Sequence, residues 1–205
     1  MIQIARRRHS HGTGSNVRML MSLPRSAVAV NLAELFADIP YAVVGGIATR
    51  SYMPERVTKD IDVLVPPSSY DPAVERLGQM GWKIERALRF VDSSLGRHGT
   101  SWSKGNDQQI DLITGDEDWA VEACSLPTFD AFGNRVIALP YLILMKLDAA
   151  RPQDTADITR MLALADETTV QQARDVVRRY ARDGEAVHDF DSLLEIGRWE
   201  LESEP

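Results

Sequence analysis

The sequence predicts an α/β fold of the α+β kind, a mixed β-sheet flanked by helices and followed by a C-terminal helical subdomain. Three observations predict it. An apolar run at 41–44 meets Gly45-Gly46 and passes into a helix-like stretch, the pattern of a strand turning tightly into a helix. From there to residue 138, short apolar or β-branched runs alternate with turn residues and helical stretches. From Leu139 onward, apolar residues recur at helical spacing and prolines stand where helices begin. The expected organisation is a disordered tail over 1–23, a core over 24–138 and the helical subdomain over 139–205.

The elements follow in order. Arg6-Arg7-Arg8-His9 lies among serine and glycine without apolar periodicity, so residues 1–23 read as a tail with no secretory core. Residues 26–38 read as an amphipathic helix, closed by Pro40 before the strand at 41–44. After Gly45-Gly46 come about two turns of helix, a basic linker with Arg56 and Lys59, and a second strand carrying Asp60 and Asp62. Residues 66–69 form a break. A helix over 70–80 follows, with Asp71 as N-cap, Pro72 at its first position and Gly81 at its end. Three β-like runs come next, at 82–85, 89–92 and 98–103, and then a strong strand at 108–114. A short helix over 118–123 and a hairpin over 129–138 turning at Gly133-Asn134 complete the core. Helices then start at Leu139-Pro140 and at Pro152, with two more over 168–183 and 190–200.

Composition narrows the class. The chain has 205 residues, 44% hydrophobic and 26% charged, ordinary values for a soluble globular domain. One cysteine, Cys124, excludes an internal disulfide and fits the cytoplasm, and with four scattered histidines it argues against structural zinc. The longest apolar run, 136–144, is too short for a bilayer and contains Pro140, so no membrane role is expected. A formal charge of −7 argues against non-specific nucleic-acid binding, DNA included, without excluding RNA as a substrate. Basic residues gather locally at Arg50/Arg56/Lys59, at Arg86/Arg89 and at Arg97/Lys104, as a solvated face or as anion contacts.

The chemistry concentrates around Gly45–Asp62. Residues two apart on a strand share a face, so Asp60 and Asp62 are expected to project together while Ile61, Val63 and Val65 enter a core. Adjacent carboxylates repel, and a hard cation between them relieves that cost. The glycine pair lets a ligand approach the backbone, and the N–H groups at the helix start form a site for phosphate. A phosphate cradle beside a carboxylate pair is the apparatus of phosphoryl or nucleotidyl transfer. Asp111, among Ile110, Leu112 and Ile113, is costly to bury unless paired, metal-bound or at a rim; otherwise it faces outward on a half-exposed strand. Lys146, in an apolar helix, either snorkels to water or reaches an anion. Asp154 suits the first turn of the next helix, and Asp157 with Arg160 could form a surface pair.

The order of strand, Gly-Gly, short helix and Asp-x-Asp resembles the nucleotidyltransferase superfamily with the polymerase-beta-like fold. The stretch GGIATRSYMPERVTKDIDVLV looks most like the AbiEii-type nucleotidyltransferases, many of them bacterial toxins. Lys146, Arg151, Asp154 and Asp157 match the lysine, arginine and Asp-x-x-Asp that those proteins carry on consecutive helices. Where many members have serine after the first glycine, this chain has Gly46, so Thr49 becomes the candidate hydroxyl. The resemblance implies an NTP co-substrate and Mg²⁺ or Mn²⁺ held by Asp60, Asp62 and Asp111, with Asp111 also helping to deprotonate the acceptor. Gly45, Gly46, Thr49, Lys59 and Arg151 would contact the nucleotide. Lys146 would offset charge on the leaving group, and Asp154 and Asp157 would orient Lys146 and Arg151. The implied acceptor is RNA such as the tRNA end, with an antitoxin protein as partner. The alternatives are an antibiotic-type small-molecule nucleotidyltransferase and a non-catalytic nucleotide-binding descendant.

Overall fold

A short apolar run builds the central strand: Ile61, Val63 and Leu64 are buried and Asp62 is partly exposed. Around it, the computed structural model describes residues 30–53, 60–105, 108–130, 133–182 and 184–203. The expected tail over 1–23 and the linker with Arg56 and Lys59 lie outside the described residues. In chain order the elements are α1 (Leu32–Leu35), β1 (Ala42–Val43), α2 (Gly45–Tyr52), β2 (Ile61–Leu64), α3 (Pro67–Gln79), β3 (Lys83–Arg89), β4 (His98–Lys104) and β5 (Gln108–Thr114). Then follow α4 (Glu117–Ser125), β6 (Thr128–Phe129), β7 (Arg135–Val136), α5 (Leu139–Ala149), α6 (Pro152–Leu164), α7 (Glu167–Tyr180) and α8 (Glu185–Ser203). The fold is mixed α/β.

The described strands form one sheet in the order β3-β4-β5-β2-β1-β7-β6. β2 runs parallel to β5 and β1 parallel to β7, while the remaining neighbours are antiparallel. Ile110, Leu112, Val63, Leu64 and Ile143 are fully buried, each such side chain contributing about 1.5–3 kcal/mol when removed from water. Helix α3 covers one face, where the Tyr70 hydroxyl meets Thr100 Oγ1 at 3.0 Å. The helices after Leu139 pack on one another, and α5 and α6 also touch α2. No helix among the described residues is long and apolar enough to cross a membrane.

Several boundaries differ from expectation for identifiable reasons. Asp60 sits in a bend before β2, exposed, and is not on the strand. Helix α3 begins at Pro67, one turn earlier than expected, because proline at the first position needs no N–H partner. Pro72 therefore lies inside the helix, and Asp71 is not its cap. The runs expected at 82–85 and 89–92 are one edge strand, β3, followed by a turn that includes Asp92 at φ 58°. Of the helix expected over 26–38, the described part is a single turn, α1, capped by the Asn31 side chain accepting from the Glu34 N–H. Helix α8 starts at Glu185, five residues before the expected 190.

Candidate active site

The strand–turn–helix unit is fixed by one carboxylate. The Val44 N–H donates to the Asp62 backbone carbonyl at 2.9 Å, joining the end of β1 to β2. The chain then turns at Gly45, with φ +60°, a conformation that costs an L side chain about 1–2 kcal/mol. A Cβ at Gly45 would also overlap Asp62 Oδ2, so this position needs glycine twice over. The Gly46 N–H donates to the Asp62 carboxylate. That amide, expected to seat phosphate, is thus taken up in orienting the aspartate. Thr49 is fully buried and its hydroxyl donates back to the Gly45 carbonyl at 2.9 Å, the usual helical back-bond. The structure does not turn it toward a ligand.

Register brings two of the expected acids together. Asp62 and Asp111 are direct partners on the parallel strands β2 and β5, so their side chains share a face. Burial pushes the Asp62 carboxyl from the ordinary 3.8 up to about 7, reinforced by the charges of Asp111 and then Asp60. Arg151 and the Gly46 N–H pull it back down by less. Asp111 Oδ1 is buried with no hydrogen-bond partner among the described residues. Asp60 contributes from the exposed bend. Among the described residues, no three Asp, Glu, His or Cys side chains converge as a metal's ligand set, so the expected three-carboxylate centre is reduced to a close pair with Asp60 at its edge. A half-buried pair of carboxylates, one buried oxygen of it unsatisfied, has the hard-oxygen chemistry that Mg²⁺ or Mn²⁺ takes.

The helical side of the site differs from expectation. Lys146 is 5% exposed, and its Nζ donates to Asp154 Oδ1 at 2.8 Å and Asp157 Oδ2 at 2.6 Å. A lysine held by two buried carboxylates neither snorkels nor presents free charge to a ligand. The exposed cation is Arg151, whose side chain is 70% accessible and whose Nε donates to Asp154 Oδ2 at 2.6 Å. Burial works to raise Asp154, but hydrogen bonds from Arg151 and Lys146 hold it below the ordinary carboxylate range. Asp154 thus bridges a buried lysine and an exposed arginine that itself lies within electrostatic reach of Asp62. Asp154 and Asp157 both accept from Lys146, while Lys59 is outside the described residues.

Sequence reasoning missed a second anchor. Asp148 accepts from Ser93 Oγ, from Ser94 N–H and Oγ, and from the Arg97 guanidinium, at 2.6–2.8 Å. It ties the turn between β3 and β4 to helix α5. The Leu95 carbonyl accepts from Trp119 Nε1 and the Asp116 N–H, fixing the same turn to α4. Nothing in the spacing of residues 93–97 and 148 announces that pairing; a second charged residue, Asp148, beside Lys146 in the last turn of a mostly apolar helix was the available signal.

No family model matches the chain, and no curated protein matches it. Among solved structures, it is similar to JHP933 from Helicobacter pylori, with 16% identity, 88% of this chain and 95% of that one covered, and a TM-score of 0.43. It is also similar to the antibiotic-resistance factor ANT(2'')-Ia in solution, with 16% identity, 87% and 95% coverage and a TM-score of 0.44. The crystal structure of ANT(2'')-Ia in complex with adenylyl-2''-tobramycin gives 16% identity, 91% and 99% coverage and a TM-score of 0.43. Overlaps of this size leave the chemistry to be read from the chain's own residues.

Proposed function

We propose that the protein is a metal-dependent nucleotidyltransferase that moves a nucleoside monophosphate from an NTP to an acceptor hydroxyl. The observation that supports this reading best is the in-register Asp62–Asp111 pair, sealed against the Gly45-Gly46 turn and carrying an unsatisfied buried carboxylate oxygen. Asp62 and Asp111 would hold Mg²⁺ or Mn²⁺, with Asp60 at the rim. When bound, the cation neutralises the phosphate oxygens and polarises the phosphorus centre.

The chain's own residues supply the rest. Gly46 orients Asp62, and the positive end of α2 with its other first-turn amides faces phosphate. Asp111 takes the proton of the acceptor hydroxyl as its oxygen bonds the α-phosphorus. The bond from that phosphorus to the β-phosphate oxygen breaks, and pyrophosphate leaves. Arg151, exposed and aimed by Asp154, offsets the charge that grows on the leaving group. Lys146 acts through Asp154 and does not touch the nucleotide.

The acceptor we propose is RNA, such as the tRNA end, in a toxin-like enzyme restrained by an antitoxin; the support is the Lys146–Asp157 string. An antibiotic-type small-molecule acceptor is the second reading, favoured by the net charge of −7, which attracts a polycation. The test is incubation with each α-labelled NTP and Mg²⁺, total RNA in one arm and an aminoglycoside in the other. Label in the RNA supports the first acceptor and label in the aminoglycoside the second. No label in either arm with any of the four NTPs sinks the enzymatic reading.

A further inference from the structure

Residues in register across neighbouring strands share a face, and the carboxylates stand in such a row. Asp62 pairs with Asp111, Asp111 with Ser101, and Ser101 with Arg86. The row therefore runs from the glycine turn outward to β3, an edge strand of the described sheet. A register shift between Ile84 and Arg86 leaves Glu85 unpaired, so Lys83, three residues before Arg86, lies in the adjacent like-facing row, across from Ser103. Accessibility changes along the way. Asp62 and Asp111 are half-buried, and Ser101 is buried with its hydroxyl accepting from Gln109 Nε2 at 3.1 Å. Arg86 and Lys83 are exposed, and neither is in an ion pair with a described residue. The acid between them in sequence, Glu85, accepts from the Ser103 hydroxyl. Two cations against the one carboxylate of Glu85 leave the outer end of the row net positive in a chain of net charge −7.

We propose that Arg86, with Lys83 beside it, is a phosphate-binding site for the acceptor strand. The proposal rests on the nucleotidyl-transfer reading, because it places the acceptor hydroxyl at Asp111. Strands lie about 4.8 Å apart, which sets the Arg86 backbone roughly 10 Å from that of Asp111. A polynucleotide whose terminal hydroxyl reaches Asp111 then lays its nearest phosphates along the row toward Arg86. The planar guanidinium suits a phosphate's paired oxygens, and Lys83 adds a second positive charge. Charges on an edge strand also discourage sheet-to-sheet pairing. That role alone leaves anion binding untouched when Arg86 is removed, so the two explanations separate experimentally.

The experiment is fluorescence anisotropy of the full chain with a labelled single-stranded oligoribonucleotide bearing a free 3′-hydroxyl, in metal-free buffer without NTP. Wild type is compared with Arg86→Ala, Arg86→Lys and Lys83→Ala at several salt concentrations, and melting curves check that each variant folds. Arg86→Ala should weaken binding about tenfold and reduce the slope of log affinity against log salt by about 0.7, the value for one phosphate contact on a single strand. Arg86→Lys should restore most of the slope, and Lys83→Ala should show a smaller loss. Unchanged affinity and slope in Arg86→Ala would overturn the proposal. So would a wild type that ignores the oligonucleotide, or that binds an aminoglycoside in its place. Binding through Arg86 in a protein that transfers no nucleotide would keep this site and remove the nucleotidyl-transfer reading.

Discussion

Replacing Asp62 with asparagine isolates the electrostatics of the site from any substrate. Asparagine keeps the shape and still accepts the Gly46 N–H, but carries no charge. Burial, Asp111 and Asp60 raise the Asp62 carboxyl from 3.8 to about 7. A carboxyl raised in the folded state holds its proton more tightly folded than unfolded. Its ionisation therefore leaves stability intact below about pH 4, erodes it as pH climbs to about 7, and removes no more above that. At 1.36 kcal/mol per pH unit the full displacement corresponds to about 4 kcal/mol. Partial solvent access and relaxation around a half-buried residue reduce this to about 2 kcal/mol. For a chain of this size, each kcal/mol moves Tm by about 2–4 °C, so the expected shift is about 4–8 °C. Melting curves are run in EDTA from pH 4 to pH 8. Asp62→Asn should match wild type at pH 4 and melt about 4–8 °C higher at pH 8. A variant that melts at or below wild type at pH 8, or a difference that does not change with pH, would refute a charge held under strain at this position.

Three further substitutions probe the surroundings. Gly45→Ala combines a left-handed backbone with an overlap on Asp62 Oδ2; it should lower stability by about 1–2 kcal/mol in denaturant titration and cut transfer at least a hundredfold. Near-normal transfer would mean that the Asp62 carboxylate can move without consequence. Lys146→Met and Arg151→Ala should behave oppositely. Losing Lys146 leaves Asp154 and Asp157 without their shared buried cation and should cost about 3–5 kcal/mol. Losing exposed Arg151 should cost under about 1 kcal/mol but lower kcat about a hundredfold. A stable Lys146→Met with lost activity would return the lysine to direct nucleotide contact.

How much was legible in the sequence depended on whether the signal was local. Strand β5 was readable because QQIDLIT is a β-rich run, and helices α5 and α6 because prolines mark their first turns. Gly45 was readable as a turn, though not its second reason, since Asp62 approaches it only in the folded chain. Asp60 was misplaced because alternation says nothing about where pairing starts; the ladder with β5 begins at Ile61. Helix α3 was begun late because Asp71-Pro72 offers a start as good as Pro67, and packing of Ala73 and Leu77 does not discriminate between them. The Lys146 cage was half legible: Asp154 and Asp157 were expected as its partners, but not that they would close it off. Arg97–Asp148 was invisible because it joins a turn to a distant helix; Arg86 was readable as part of a local basic pair, but its place in the row with Asp111 was not, because that depends on register between distant strands.

In the proposed reaction Asp62 and Asp111 together make the transfer centre. Their joint role is tested most directly by measuring pyrophosphate release and nucleotide incorporation by wild type, Asp62→Asn, Asp111→Asn and, as an exposed control, Asp118→Asn, with Mg²⁺ and whichever NTP the wild type uses. Wild type and Asp118→Asn should give matched product and pyrophosphate. In Asp62→Asn and Asp111→Asn both should fall by about a thousandfold, the upper range for removing a group that stabilises the transition state. Undiminished turnover in either of those two variants would contradict it.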